Sequence, residues 1–443
     1  MSKLTKLIFH PRRFFYDAIQ KRKGKTPGSK RYTDKITASP KNMSKAKLQI
    51  ATSSSIDFNA SAANLLLPFK IALQTGENFL SGKAHLQLWI PQFIASGELF
   101  LVITRDADLY KFIREQYPTL SVLQAKRSID AERAVLSLPH LRAIFYPSST
   151  GNNVHFIRFN HIKHIFIGHG DSDKASSAHK ALRAYDEIWV AGQAHIDRFS
   201  NAGIETKHIS FVKVGRPNLQ SVMARLNNPW NSRFSGPSLL YLPTWEGQFE
   251  ETNYSSLPFA SDFLSRIYQS TKSTLFAKLH PSTGLRDCAL INCEDLLRNA
   301  LTTLGIPARI KDRAATIEDL LYQTNMFICD ISGVLTECLA ANAPIFVYVP
   351  MGRKIKLASS SMPFEEYAYT FSSTEELIEK INKVLKGEDV LAKNRTKAIE
   401  YFVGKKETLD GEFHRQVRAI CQNKPSYLNM PERTTDTEEE QYA

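Results

Sequence analysis

Four short segments carry residue types suited to proton transfer and to phosphate binding. In the first, the apolar run at 165–167 leads straight into Gly168-His169-Gly170. A histidine at the carboxyl end of a strand stands where open α/β sheets bind their ligands, and flanking glycines leave its ring uncovered. An imidazole takes protons near neutral pH, so His169 is a candidate general base for an attacking hydroxyl. The competing reading, a cap for the next helix, is better filled by Asp171, Ser172 and Asp173. In the second segment, a run at 239–242 ends in Pro243-Thr244-Trp245. Thr244 can donate to a phosphate, while Trp245 either lines a cleft or closes a core. In the third, Lys278 and His280 lie two apart on an extended stretch and so share one face, a pairing suited to a diphosphate. In the fourth, a strand ends at Asp330 and Ile331-Ser332-Gly333 opens a helix. Its first turn combines free N–H groups, the hydroxyls of Ser332 and Thr336 and the positive end of the helix dipole, which together make a phosphate site. Glu337, one turn in, can accept hydrogen bonds from ribose hydroxyls; Asp330 serves equally well as a structural cap.

Such residues converge only if the elements between them bring the strand ends together. Short apolar runs alternate with longer helical patterns, the signature of parallel sheets flanked by helices. In the first half, strands are expected at 100–104, 121–124, 143–146, 164–167 and 187–191, with helices over 106–117 and 194–202. The second half starts afresh, with strands at 238–242, 275–278, 308–310, 326–329 and 345–349 and helices over 260–271, 293–304, 317–323 and 333–341. Residues 215–237, with Pro217, Pro229, Gly236 and Pro237, read as the connection between them. The economical architecture is α/β, two Rossmann-like domains facing a cleft. Residues 48–215 form the N-terminal domain and 216–390 the C-terminal domain. Helices over 391–424 return to the N-terminal domain, and 425–443 form an acidic, disordered tail.

Composition narrows the function classes. With 443 residues, 43% of them hydrophobic and 23% charged, the chain can fill two cores, and no apolar stretch approaches the length of a membrane-spanning helix. No secretory signal is legible at the start, so a cytoplasmic location is expected. No G-x-G-x-x-G follows a strand, and neither a P-loop nor a G-x-S-x-G elbow is present, which leaves dinucleotide, P-loop and α/β-hydrolase chemistry without support. Five cysteines without C-x-x-C spacing indicate neither a disulfide framework nor a zinc site. The net charge of +13 is concentrated: residues 1–47 hold 14 Lys and Arg against Asp17 and Asp34, leaving +1 for the remainder. This basic arm intersperses Leu4, Leu7, Phe9, Phe14, Phe15 and Ile19 with its charges, a pattern suited to an anionic membrane surface. The alternatives are a short helix packed on the body and a nucleic-acid arm; no base-stacking module follows, so nucleic acid is not expected as a partner.

In order and separation, the HG after a strand, the P-T-W, the K-L-H-P and the D-x-S before a helix resemble the CDP-glycerol glycerophosphotransferases, the polymerases and primases of teichoic acid and of some capsules. The likeness spans roughly residues 90–390 and includes Val214-Gly215-Arg216-Pro217 as a further turn. It implies a glycosyltransferase B fold with the acceptor on the N-terminal domain, the nucleotide on the C-terminal domain, and attachment to the inner face of the cell membrane. By the same likeness His169 corresponds to the base and His280 to a second essential histidine near the diphosphate. Ser332 and Gly333 correspond to the phosphate-binding pair, with Glu337 at the ribose. Lys278, Thr244, Thr336 and Arg216 fall on the donor side, and Asp171, Ser172, Asp173 and Lys174 on the acceptor side. The expected reaction moves a polyol phosphate, glycerol phosphate by default, from a CDP-linked donor to a hydroxyl of an envelope polymer or lipid-linked glycan. A nucleotide-sugar transferase of the same fold and a non-catalytic scaffold are the alternatives. No cofactor is required, and no metal is expected: Asp171-Ser172-Asp173 has D-x-D spacing but lies on the acceptor side. The sequence departs from the usual motifs at Asp171, Glu246 and Gly333, all on the part of the cleft away from the nucleotide.

Overall fold

A computed structural model describes residues 67–169, 178–313, 315–352, 354–355, 357, 360–405 and 411–422. The basic arm, the candidates Asp171, Ser172, Asp173 and Lys174, and the acidic tail lie outside the described residues.

Two parallel sheets organise the rest. The first contains β1 (Ile71–Thr75), β2 (Phe100–Thr104), β3 (Ser121–Gln124), β4 (Ala143–Tyr146), β5 (Lys163–Phe166), β6 (Glu187–Val190) and β7 (Ser210–Lys213), in the order β3-β2-β1-β4-β5-β6-β7. The second contains β8 (Ser238–Leu242), β9 (Thr274–Ala277), β10 (Ala308–Ile310), β11 (Met326–Asp330), β12 (Ile345–Tyr348) and β13 (Tyr369–Phe371), in the order β10-β9-β8-β11-β12-β13. Every strand pair is parallel. Central strands such as FLVIT, SLLYL and IFVY are buried along their whole length because helices cover both faces of each sheet. Strand order reverses direction between β1 and β4 and again between β8 and β11. At such switch points the loops diverge and leave a crevice at the carboxyl ends of the strands.

The strands expected at 100–104, 121–124, 143–146, 238–242 and 308–310 form with those limits. Three strands carry no legible signal. β7 and β13 are edge strands; the first is largely exposed and the second has three residues, so neither shows a sustained apolar run. β1 is fully buried, but it ends in Gln74 and Thr75 and so reads as half a strand. The long helix Phe79–Ser96 was also illegible, with Pro91 in its interior and no single apolar face. Its packing explains that composition. One side covers the first sheet, and the other is covered by the C-terminal helix Glu412–Gln422, whose Phe413 ring lies 5.1 Å from Trp89 and 5.3 Å from Phe93.

The stretch 215–237 includes the helix Pro217–Arg225, started by Pro217 at its first position. The chain crosses back near its end. The Tyr401 hydroxyl donates to Asp197 at 2.7 Å, and the 401–402 backbone packs so closely on Gly192 that a Cβ there would meet the Tyr401 carbonyl oxygen at 2.3 Å.

Candidate active site

The wall of the cleft formed by the first sheet is built from the ends of β1, β4 and β5. After β5 the chain turns through Gly168 at a φ of 62°, a conformation glycine adopts without strain, and this turn presents His169. Two hydrogen bonds set its geometry. The Trp89 indole donates to the Gly168 carbonyl at 2.6 Å, and His169 Nδ1 lies 2.9 Å from the Pro147 carbonyl after β4. A carbonyl only accepts, so Nδ1 carries the proton and Nε2 of the neutral ring keeps its lone pair, the tautomer a general base requires.

Two residues the sequence reading passed over complete this wall. Gly76, at the end of β1, is pressed against the loop after β4, where an added Cβ would meet Thr150 Oγ1 at 2.4 Å. That contact fixes the neighbouring Glu77, whose Oε2 lies 2.7 Å from His85 Nδ1. The His85 ring in turn stacks on His169, with centroids 3.6 Å apart and planes 16° from parallel. Gln74 and Thr75 separate the apolar part of β1 from Gly76, so no apolar run led into Glu77 as one leads into Gly168-His169. Although His169 keeps an open face to solvent, protein surrounds its other sides. That desolvation, with the charge His85 would carry, pushes its pKa down to about 4 against the raising effects of the Pro147 carbonyl and Glu77. The Glu77 carboxyl is held below its ordinary value: burial works to raise it, and His85 outweighs burial.

The opposite wall comes from the second sheet. Lys278 follows β9 and is buried, which pulls its pKa down while Glu337, Asp312 and Glu318 oppose the shift. Glu337, in the helix Val334–Leu339, is pushed up to about 7 by burial and by Glu318, against Arg216 and Lys278. Arg216, buried at the start of the helix Pro217–Arg225, acts through its charge on both His169 and Glu337. His280 Nδ1 accepts the Ser282 N–H at 3.1 Å, so its neutral ring holds the proton on Nε2 and can donate it. Trp245 stacks beside His280 with ring centroids 6.3 Å apart.

The remaining donor-side candidates have more structural duties. Thr244 is buried, its N–H donates to Asp330 Oδ2 at 2.7 Å, and its hydroxyl has no partner among the described residues. Asp330 also accepts from Ser256 N at 3.2 Å, so it ties the β8 loop to β11 and is a bracket within the second sheet. Ser332 is buried and Gly333 precedes the helix, while the Thr336 hydroxyl donates back to the Gly333 carbonyl at 2.8 Å. Glu246 is a second bracket. Its carboxylate accepts from the N–H groups of Gly284, Arg286 and Asp287 and shapes the loop after His280. Thus His169 stands at the end of β5 in the first sheet, Lys278 and His280 follow β9 in the second, and Thr244, Asp330 and Glu246 brace the loops of the second sheet.

Two parallel-sheet Rossmann-like halves with a cleft at their strand ends define the glycosyltransferase B fold. Among solved structures with this fold, the wall teichoic acid polymerase TagF superposes over 81% of this chain and 91% of its own, with a TM-score of 0.50 and 14% identity. A variant of that polymerase soaked with CDPG gives 0.51 and 11% identity over 80% of this chain and 90% of its own. UDP-GlcNAc 2-epimerase from Methanocaldococcus jannaschii superposes over 81% of this chain and all of its own, with a TM-score of 0.50 and 14% identity. No family model matches the chain. No curated protein matches it either. The structural likeness reaches the teichoic-acid polymerases that the motifs resemble, and at this identity it establishes the fold.

Proposed function

We propose that the protein transfers a polyol phosphate, glycerol phosphate by default, from a CDP-linked donor to a hydroxyl of an envelope polymer or lipid-linked glycan. One observation carries the reading: His169, with its Nδ1 proton held by the Pro147 carbonyl, keeps Nε2 able to accept a proton at the end of β5, while Lys278 and His280 follow β9 of the second sheet. In this reaction His169 Nε2 takes the acceptor proton while the acceptor oxygen bonds to the β-phosphorus. The bond from that phosphorus to the bridging oxygen breaks, and CMP leaves with the electron pair. Lys278, Arg216 and the Nε2–H of His280 stabilise the charge that gathers on the phosphates. Ser332 and Gly333 sit at the diphosphate, Thr244 and Thr336 shape that end, and Glu337 meets the ribose. The soak of the TagF variant with CDPG supports a donor of this class. In this reading Asp171, Ser172, Asp173 and Lys174 meet the acceptor, and residues 1–47 hold the enzyme at the anionic inner face of the membrane.

The equal likeness to a UDP-GlcNAc enzyme keeps one second reading in view, transfer from a nucleotide sugar. Nucleotide release from CDP-glycerol, CDP-ribitol and CMP-, UDP- and GDP-sugars, with membranes as acceptor source, separates the two. CMP released from a CDP-polyol and lost in His169→Ala is the expected result; turnover of a nucleotide sugar alone overturns it.

A further inference from the structure

Three imidazole and carboxyl groups on the first wall form a unit that a lone catalytic base would not need. Glu77 holds His85 through Nδ1 at 2.7 Å, and His85 lies face to face on His169 at 3.6 Å. Glu77 and His85 are both largely buried, with side-chain exposures of 11% and 18%. Two stacked imidazolium rings repel one another at this distance, so the pair takes up one proton before it takes two. The single proton goes to His85, because His85 has the carboxylate. His169 has only a neutral carbonyl at Nδ1, and the Arg216 guanidinium beyond it disfavours a second charge.

From this geometry we infer that His85, clamped by Glu77, is a positioning residue for His169: it carries the shared proton and holds the ring flat, so that His169 stays neutral with Nε2 open to the cleft. The groups that face His169 among the described residues are His85 from the helix Phe79–Ser96, Glu77 from the loop after β1 and Arg216 from the start of the helix Pro217–Arg225. Removing His85 takes away one of the charges that lower the His169 pKa and leaves Glu77 to favour a proton there, while burial, the larger cause, stays, so the ring takes up a proton more readily than in wild type. The catalytic consequence rests on the reading of His169 as the base; the protonation behaviour does not.

The test is the pH dependence of His169 carbethoxylation by diethyl pyrocarbonate, followed by peptide mass mapping in the intact chain. Wild type is compared with His85→Phe, which keeps a stacked ring without the charge, and with His85→Gln, which keeps a polar partner for Glu77. Only neutral imidazole reacts. At pH 5 the wild-type His169 is expected to react at nearly its full rate, and His169 in either variant at about half that rate or less, with the difference gone by pH 8. Profiles that superpose in wild type and whichever variant folds overturn the inference. Because this readout needs no turnover, an absence of nucleotide release would count against the transferase reading alone. Where release is observed, the acid limb of its pH profile should move toward neutrality in His85→Phe.

Discussion

The Trp89 indole donates its proton to the carbonyl of Gly168 at 2.6 Å, so the turn that presents His169 is anchored from a helix 79 residues earlier in the chain. Trp89→Phe keeps the ring and removes the donor. A buried carbonyl left without its partner costs about 1–3 kcal/mol. Part of that cost falls on the loop that carries His169, so under the proposed reaction transfer should fall by about tenfold or more while the melting temperature drops only a few degrees. Parallel calorimetry and nucleotide-release assays check this; an unchanged rate would mean that the turn holds its shape unaided.

Lys278 is buried after β9, where the proposed reaction puts the donor phosphates, and Lys278→Met preserves its stem without its charge. A charge-assisted contact to phosphate is worth about 1.5–3 kcal/mol, so donor KM should rise by roughly ten- to a hundredfold. The effect on kcat should be smaller if the contact already exists in the ground state. Steady-state kinetics with varied donor read this directly, and an unaltered KM would remove Lys278 from the donor site.

Glu337 has its pKa raised to about 7 from the ordinary 4.5, so the folded protein binds a proton there that the unfolded chain has already released. Its contribution is therefore fully present below pH 4.5 and lost as pH rises through 7. Glu337→Gln, which cannot ionise, should be more stable than wild type at pH 8, by on the order of 1–3 kcal/mol given partial contact with solvent, and no more stable at pH 4. Denaturant melts at the two pH values test the sign.

Glu246 runs the other way. Burial works to raise its pKa, but backbone N–H groups from Asp287, Gly284 and Arg286 outweigh burial and hold it below 4.5. The stability it supplies is present above pH 4.5 and lost as pH falls through the lowered value. Glu246→Gln should therefore melt several degrees below wild type at pH 7 and converge with it near pH 3. Thermal melts across that range would show parallel curves if the carboxylate were not charged in the fold.

How much of this was legible in the sequence follows from the range of each interaction. Runs such as FLVIT and SLLYL announce strands because a strand buried on both faces must be apolar throughout, and the chain records that locally. Strand ends followed by Gly-His, Pro-Thr-Trp and Lys-Leu-His-Pro likewise mark where side chains emerge from a parallel sheet, so His169, Lys278 and His280 could be named from their neighbours. Edge strand β13 and the helix Phe79–Ser96 could not be named in this way. The first is too short to show a pattern, and the second is buried on two sides by segments more than 300 residues apart, which erases its amphipathic period.

Sequence by itself therefore determined the two-sheet α/β architecture and the candidate histidines, because both are written in nearest-neighbour patterns. Tertiary structure alone decided how the cleft is wired. That Glu77 and His85 stand against His169, that the Arg216 charge acts on both His169 and Glu337, and that Glu246 and Asp330 brace loops are matters of contact between residues distant in the chain. Hydrogen bonds and stacking act over a few ångströms in space, and only the closed fold sets those distances.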